Sequence, residues 1–347
     1  MSESHAISQG IGNTVAAHVR LAITIQKYNP EIDTHPHDEV YHLEVPRGLT
    51  ILDALIRIKN EQDGRLTFRY SCRSAICGSC AMTVNGAEQL ACRTSMRQEW
   101  ERYGDIRIAP LKNLDVIKDL AVDMRSFWEK TRTIVPWLLA ETSPGAHPVG
   151  MNTYTFHNVD ACIMCGACVA ACTSHEADRN FLGPAALAKA YRFVADTREG
   201  EDARTARLAA LQEPSGMWDC TRCNFCVQVC PKDVQPMEAI IRLRRAAIER
   251  GLTNTGGARH VIGFRDLIAK YGRLNEALMP LKVIGLNFRH FLNILPLGLR
   301  MVVKGKVPSP LHPGIKGVER IRAILQRSGP RPDVSHLRAI VGREADG

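Results

Sequence analysis

Apolar and polar residues alternate at Val19, Leu21, Ile23 and Ile25, and again at Tyr41, Leu43 and Val45. A period of two belongs to strands with one buried face. The polar stretch Asn29 to Glu39 between them predicts a hairpin. At Thr50 the period changes. Ile51, Leu52, Leu55 and Ile56 follow helical spacing, and Asp53 stands where it can cap reciprocally with Thr50. This helix is expected to end near Asp63 and Gly64. A Gly- and Ser-bearing loop follows, then a strand over Ala81 to Val84, a turn at Asn85 and Gly86, and a last strand carrying Ile106 and Ile108 before Pro110.

From about Lys112 the pattern reads as helical, with Val122, Phe127, Trp128 and Ile134 punctuating a polar segment that ends near Pro136. Ser143 to Gly150 reads as a linker. Helical stretches are expected from Pro184 to Leu211 and from Pro236 to Arg250, the second capped by Gly251. The most apolar region, Leu281 to Val303, is interrupted by Lys282, Arg289, His290 and Arg300, and broken at Gly285, Pro296 and Gly298. A bilayer-spanning helix needs about 20 uninterrupted apolar residues. Membrane contact is therefore expected only through partners or an interfacial segment.

The 347 residues are 45% hydrophobic and 23% charged, ordinary for a globular chain of two or three domains. Met1 to Thr14 shows no basic start, apolar centre or twin arginine, so no export signal is expected. The twelve cysteines sit in tight clusters. Without an export signal, that pattern points to metal binding in a reducing compartment rather than to disulfides.

Those cysteines form three groups of four. Cys72, Cys77, Cys80 and Cys92 have the spacing of a plant-type 2Fe–2S loop. Cys162, Cys165, Cys168 and Cys172 form a bacterial-ferredoxin run, repeated at Cys220, Cys223, Cys226 and Cys230 before Pro231. Structural zinc is the competing reading, but zinc sites usually present paired C-x2-C hooks, often with histidine. A C-x2-C-x2-C loop curls around one face of a cubane and takes its fourth ligand from elsewhere. In two-cluster ferredoxins the fourth cysteine of each run crosses to the other cluster. One 4Fe–4S cluster is thus expected on Cys162, Cys165, Cys168 and Cys230, and a second on Cys172, Cys220, Cys223 and Cys226. Gly78 and Gly166 are expected to let backbone amides approach the sulfides.

The formal charge of +9 counts each thiol as neutral. Each oxidised cluster with four thiolates carries about −2, so three of them bring the chain to about +3. Nucleic acid is therefore not an expected partner. The run Arg242, Arg244, Arg245 and Arg250 is expected as a solvated face or a contact for an acidic partner. No dinucleotide or Walker loop is present, so substrate chemistry is expected outside this chain. His175 and Glu176 read as a surface pair rather than a proton relay, and His35 and His37 as turn residues.

The expected architecture is α+β. Residues 1–17 are a flexible N-terminus and 18–120 a β-grasp plant-type ferredoxin domain. Residues 121–255 form an all-α bacterial-type domain with two 4Fe–4S clusters, and 256–347 a helix and loop extension for partner docking.

Ser71 to Thr94 (SCRSAICGSCAMTVNGAEQLACRT) resembles the 2Fe–2S loop of succinate dehydrogenase and fumarate reductase iron–sulfur subunits. AVDMRSFWEK (Ala121–Lys130), FLGPAALAKAYRF (Phe181–Phe193) and CPKDVQPMEAI (Cys230–Ile240) extend the resemblance over about residues 18–250. It implies an electron-transfer subunit without catalysis of its own. Electrons would pass between an FAD-containing flavoprotein that interconverts succinate and fumarate and a quinone-linked membrane partner. The chain would lie on the inner face of the cytoplasmic membrane. Two departures stand out. Thr173 to Ala177 replace a tryptophan-containing stretch of standard members, and Thr221 replaces a histidine. Cys223 stands where they carry an aliphatic residue, so 4Fe–4S is expected in place of 3Fe–4S. This pattern is similar to a non-standard branch whose partner is a cysteine-rich, heterodisulfide-reductase-like subunit. Val303 to Gly317 is similar to the tail of a heterodisulfide reductase subunit, which makes a thiol:fumarate or heterodisulfide-type complex the alternative.

Overall fold

β1 (His18–Lys27) and β2 (His37–Pro46) pair antiparallel, with Leu21 opposite Leu43 and Ile23 opposite Tyr41. This is the hairpin that the alternation predicts. In this computed structural model the described residues are 18–46, 48–139, 158–196, 198–285, 288–306 and 313–327. The expected N-terminal tail and the Ser143–Gly150 linker lie outside them. Contacts divide the chain into two units, residues 1–124 with 163–170, and residues 125–162 with 171–347.

In the first unit the sheet order is β2-β1-β5-β3-β4. β3 (Ala81–Val84) and β4 (Ala87–Leu90) form a hairpin across Asn85 and Gly86, whose φ values of 48° and 83° are those of a tight primed turn. β5 (Ile106–Ala109) runs parallel to β1 and antiparallel to β3. α1 (Ile51–Glu61) starts in the expected capping box, with Asp53 N–H donating to Thr50 Oγ1 at 3.2 Å and Thr50 N–H donating to Asp53 Oδ2 at 3.2 Å. It lays Ile51, Leu52, Leu55 and Ile58 on Ile23, Ile25, Val84, Ile106 and Ile108. A second helix, α2 (Met96–Tyr103), is capped by Ser95 and packs near β5. The helical reading from Lys112 is corrected here. Val116–Lys118 and Ala121–Val122 form a small two-stranded ribbon, β6 and β7, with Asp119 at φ 47° in the turn. Of the apolar residues at helical spacing, Val122 buries itself with Leu111 and Leu114 around this turn, and Phe127 and Trp128 fall in a helix that starts later.

After the ribbon, helix resumes at α3 (Arg125–Thr133), in the second unit. Two short helices follow, α4 (Ala167–Ala170) in the first unit and α5 (Thr173–Ala177) in the second. The single helix expected over 184–211 is two, α6 (Gly183–Val194) and α7 (Glu201–Ala210). Buried Asp196 breaks them, accepting from Arg192 and Arg198. α8 (Phe225–Gln228) precedes α9 (Pro236–Glu249), which ends at Arg250 and at Gly251 in left-handed conformation, as its sequence predicts. α6 presents Ala186, Leu187 and Ala190 to Ile240 and Leu243 of α9. Small alanines on one side let the two backbones approach. Beyond them come α10 (Gly256–Tyr271), α11 (Met279–Ile284), α12 (Phe288–Val303) and α13 (Val318–Arg327), and α10 packs against both α11 and α13. No helix among the described residues is long and apolar enough to cross a membrane.

A buried polar knot ties the sheet unit together. Lys27 Nζ lies 2.6 Å from Asp63 Oδ2 and 3.5 Å from Asp119 Oδ2, and Tyr41 Oη donates to Asp63 at 3.0 Å. Burial raises the Asp63 carboxyl, but hydrogen bonds from Lys27, the Arg65 amide and Tyr41 outweigh it and take it from 3.8 to about 2. Its contribution is therefore complete above the ordinary carboxylate range and is lost as pH falls toward 2. Replacing Lys27 with Met removes the cation shared by two buried carboxylates and leaves Asp63 only the exposed Arg65 at 3.5 Å. The expected cost is about 3–5 kcal/mol, read from urea unfolding at neutral pH.

Candidate metal centres

The loop after α1 aims backbone amides at sulfur. Cys72 Sγ accepts from the N–H groups of Ser74 at 3.4 Å, Ile76 at 3.4 Å and Cys77 at 3.3 Å, and Cys92 Sγ accepts from Ala75 at 3.3 Å. This geometry needs residues in left-handed conformation: Arg73 and Ala75 at φ 54°, and Gly78 at φ 74°. Alternating left-handed residues turn successive N–H groups to one side and make an anion-binding concavity, as at many Fe–S sites. The amides of Ser74, Cys77 and Ile76 bring the Cys72 thiol down to about 6. Cys80, buried at the start of β3, is pushed up to about 12 by burial and by its neighbours Cys92 and Cys77. At Gly78 a Cβ would stand 2.7 Å from Cys165 Cβ and 3.0 Å from the Ile163 carbonyl, so the absent side chain also makes room for that segment.

The two helical-domain runs repeat each other in backbone as well as in sequence. A one-turn 3-10 helix precedes each, at Val159–Ala161 and Met217–Asp219. In the first spacer the second residue is left-handed, Met164 at 54° and Arg222 at 59°. In the second spacer it is the first residue, Gly166 at 84° and Asn224 at 72°. Asn tolerates this region because its short amide bonds locally. Strain of roughly 1–3 kcal/mol at each such non-glycine position persists only where something over-determines the loop.

Cys172, at the end of the first run, lies beside the cysteines of the second. The Cys226 thiol is pushed up to about 12 by burial and by charge on Cys220, Cys172 and Cys223. Burial likewise lifts Cys172, with added repulsion from Cys220 and Cys223. Burial would raise Cys223, but the Phe225 amide and the hydroxyls of Thr173 and Thr221 outweigh it and hold the thiol below its ordinary value. Two buried sulfurs, Cys172 and Cys226, beside the more open Cys220 and Cys223 suit a polycation, which binds them as thiolates. Among the described residues no three His, Cys, Asp or Glu side chains converge on a point that one metal ion could occupy. Cys162 and Cys230 both pack against the core of the second unit, and Cys230 Sγ accepts from the Val234 amide at 3.3 Å.

Three features of this site escape the linear pattern. Arg244 is 9% exposed, not part of a solvated basic face. From α9 it donates to the carbonyls of Met217 at 2.6 Å, Trp218 at 2.9 Å and Cys220 at 2.8 Å, with its guanidinium 5.2 Å from the Trp218 ring. The charges of Cys220 and Asp219 favour its charged form against the cost of burial. Its position four residues after Ile240, on the buried stripe of α9, was the available signal. His175 is also buried, at 3% exposure, rather than part of a surface pair with Glu176. Its Nε2 lies 3.0 Å from Lys130 Nζ, and burial with the charges of Lys130 and Arg179 pushes the imidazole down to about 4. The two departures at Thr173–Ala177 and Thr221 meet: the Thr221 N–H donates to Ser174 Oγ at 3.3 Å, and Thr173 Oγ1 donates to Cys223 Sγ at 3.5 Å. His37, in contrast, sits exposed 3.9 Å from Asp33.

Residues 22–129 match the family described as a 2Fe-2S iron-sulfur cluster binding domain, and residues 158–234 match a 4Fe-4S dicluster domain. The chain is 37% identical to the fumarate reductase iron-sulfur subunit of Escherichia coli O6:H1 over 225 residues, which covers 63% of this chain and 90% of that subunit. It is 37% identical to the succinate dehydrogenase iron-sulfur subunit of Paracoccus denitrificans, covering 65% and 87%. It is 36% identical to the 8-methylmenaquinol:fumarate reductase iron-sulfur subunit of Wolinella succinogenes, covering 72% and 81%. Its fold is like that of a chain in the Mycobacterium smegmatis Sdh1 complex in the apo form, with TM-score 0.61, 24% identity, and coverage of 68% and 98%. Cysteine loops of this form, with relatives this similar along nearly their whole length, show that the chain belongs to the succinate dehydrogenase and fumarate reductase iron–sulfur subunit family.

Proposed function

We propose that this chain carries electrons, without catalysis of its own, between an FAD-containing succinate/fumarate flavoprotein and a quinone-linked partner of the cysteine-rich, heterodisulfide-reductase-like type. The observation that carries the reading is the gathering of Cys172 with Cys220, Cys223 and Cys226, ligand crossing of the kind that puts two clusters side by side. Cys72, Cys77, Cys80 and Cys92 hold a 2Fe–2S group. Cys162, Cys165, Cys168 and Cys230 hold one 4Fe–4S group, and Cys172, Cys220, Cys223 and Cys226 the other. Bound there, these groups supply one-electron redox capacity.

The protein's own part is electrostatic. Amides of Ser74, Ile76 and Cys77 stabilise negative charge on Cys72, which favours the more reduced state. Arg244 places a guanidinium behind Cys220 and offsets the charge of the thiolates around it. The hydroxyls of Thr173, Ser174 and Thr221 occupy the place where standard members carry Trp and His, so electron exit here does not use the usual quinone pocket. Membrane attachment through partners, on the inner face of the cytoplasmic membrane, follows from the same reading. The hydroxyl cluster also keeps a second reading open, a thiol or disulfide couple as the partner's substrate.

Anaerobic purification of the native complex tests this. About ten irons per chain, two plus four plus four, are expected, with bleaching by succinate or reoxidation by fumarate. A complex inert to both dicarboxylates overturns the reading, and comparing thiol with quinol donors separates the two partner types. Cys223→Val is expected to lower iron to about nine per chain and to introduce a 3Fe–4S EPR signal in the oxidised protein. Arg244→Gln is expected to lower the midpoint potential of the same cluster while Arg244→Lys keeps it near wild type, both read by EPR-monitored redox titration. A potential that follows hydrogen-bonding capacity rather than charge would rule out the electrostatic role.

A further inference from the structure

α12 carries its apolar side chains in the open. Leu292, Leu295, Leu299, Val302 and Val303 are 41–87% exposed and fall within one face at helical spacing. Asn293, Arg300 and, one residue past the helix, Lys304 fall on the other side, which also carries exposed Leu297 and Met301. The charge around it has a single sign. Between Glu276 and Glu319 there is no Asp or Glu, while Lys282, Arg289, Arg300, Lys304, Lys306 and Lys316 all lie there.

The 16 residues of α12 reach only about 24 Å at 1.5 Å per residue, short of the hydrocarbon core, and Pro296 interrupts its hydrogen bonding. The helix is thus unsuited to span a bilayer. A helix too short to span, with an open apolar stripe and basic residues beside it, lies in the plane of a membrane surface. Protein-binding hot spots favour Trp, Tyr and Arg over Leu and Val, whereas the described open face is leucine and valine. The unbroken basic character complements anionic headgroups, to which each Lys or Arg near the surface adds attraction.

We propose that α12 is an in-plane anchor on an anionic phospholipid bilayer. Leu292, Leu295, Leu299, Val302 and Val303 enter the acyl boundary, and Arg300, Lys304 and Lys306 lie among the headgroups. This goes beyond attachment through partners, and it needs no redox partner to be tested. The holo-chain, with all clusters loaded, is mixed with vesicles of phosphatidylcholine alone or of phosphatidylcholine and phosphatidylglycerol in equal parts, and floated through a density gradient. Flotation on the order of tenfold greater with the anionic vesicles is expected, falling with added salt. The pair Leu295→Glu and Leu299→Glu abolishes it, and the pair Arg300→Glu and Lys304→Glu removes the preference for phosphatidylglycerol. Both pairs keep wild-type iron content and EPR spectra, because the changed side chains are exposed. The proposal is overturned if the wild-type chain stays with neither vesicle or if the variants float like wild type. It is equally overturned if vesicle binding is absent while the leucine variants break a self-dimer, seen by light scattering, or detach a partner subunit. Dicarboxylate-driven bleaching is read separately, so a failed anchor leaves the electron-relay reading standing.

Discussion

Sulfur crowded beside sulfur is the constraint on which this structure turns. Cys172 and Cys226 are buried, and the neighbouring Cys220 and Cys223 add to the cost of charge on each of them. In the proposed ligation iron relieves it, because metal binding converts mutual repulsion into shared ligation and couples that gain to folding. The surrounding chain contributes where iron does not reach. Left-handed residues turn amides toward the sulfurs of the first loop, and a buried arginine is spent on the carbonyls of the Cys220 loop. These loops are therefore strained and polar where the cores beside them are regular and apolar.

The two units answer this constraint differently. In the first, a twisted sheet and one capped helix make a core of Ile, Leu and Val from which the cysteine loop projects. Cys80 alone of its group is buried, one residue before β3, which fixes one sulfur against the core while the remaining three are more open. In the second, the alanine face of α6 seats α9 closely, and α9 in turn carries Arg244 to the back of the Cys220 loop. Helix packing thus sets the electrostatic surroundings of the second run. Arg207 plays a comparable part in holding the unit together. It pairs with Glu199 and donates to carbonyls of Ile134, Val135 and Trp137, so the segment after α3 is pinned by a buried ion pair.

Much of the first unit was legible because its signals are local. Alternation at Val19 to Ile25, the Thr50–Asp53 cap, and Asn85-Gly86 each depend on residues a few positions apart, and each matches the structure. The segment after Lys112 misled because a few well-spaced apolar residues fit a helix and a folded-over ribbon equally well. Pro184 to Leu211 read as one helix because nothing in its hydrophobic pattern records Asp196 collecting two arginines. His175 and Arg244 looked like surface residues by composition. Both are buried because carbonyls and a lysine, distant in sequence, accept or share their polarity.

Sequence alone determined the number and kind of sulfur sets, since a C-x2-C-x2-C spacing constrains the backbone to a loop that can wrap a cluster whatever lies around it. It also determined the hairpin, the cap of α1 and the glycine end of α9, all matters of dihedral preference and short-range hydrogen bonding. Tertiary structure alone decided which distant groups share a site. The meeting of Thr221 with Ser174, the seat of Arg244 behind Cys220 and the exposure of the α12 apolar face depend on how helices pack, and packing energy is spread over many weak contacts that no single stretch of residues records.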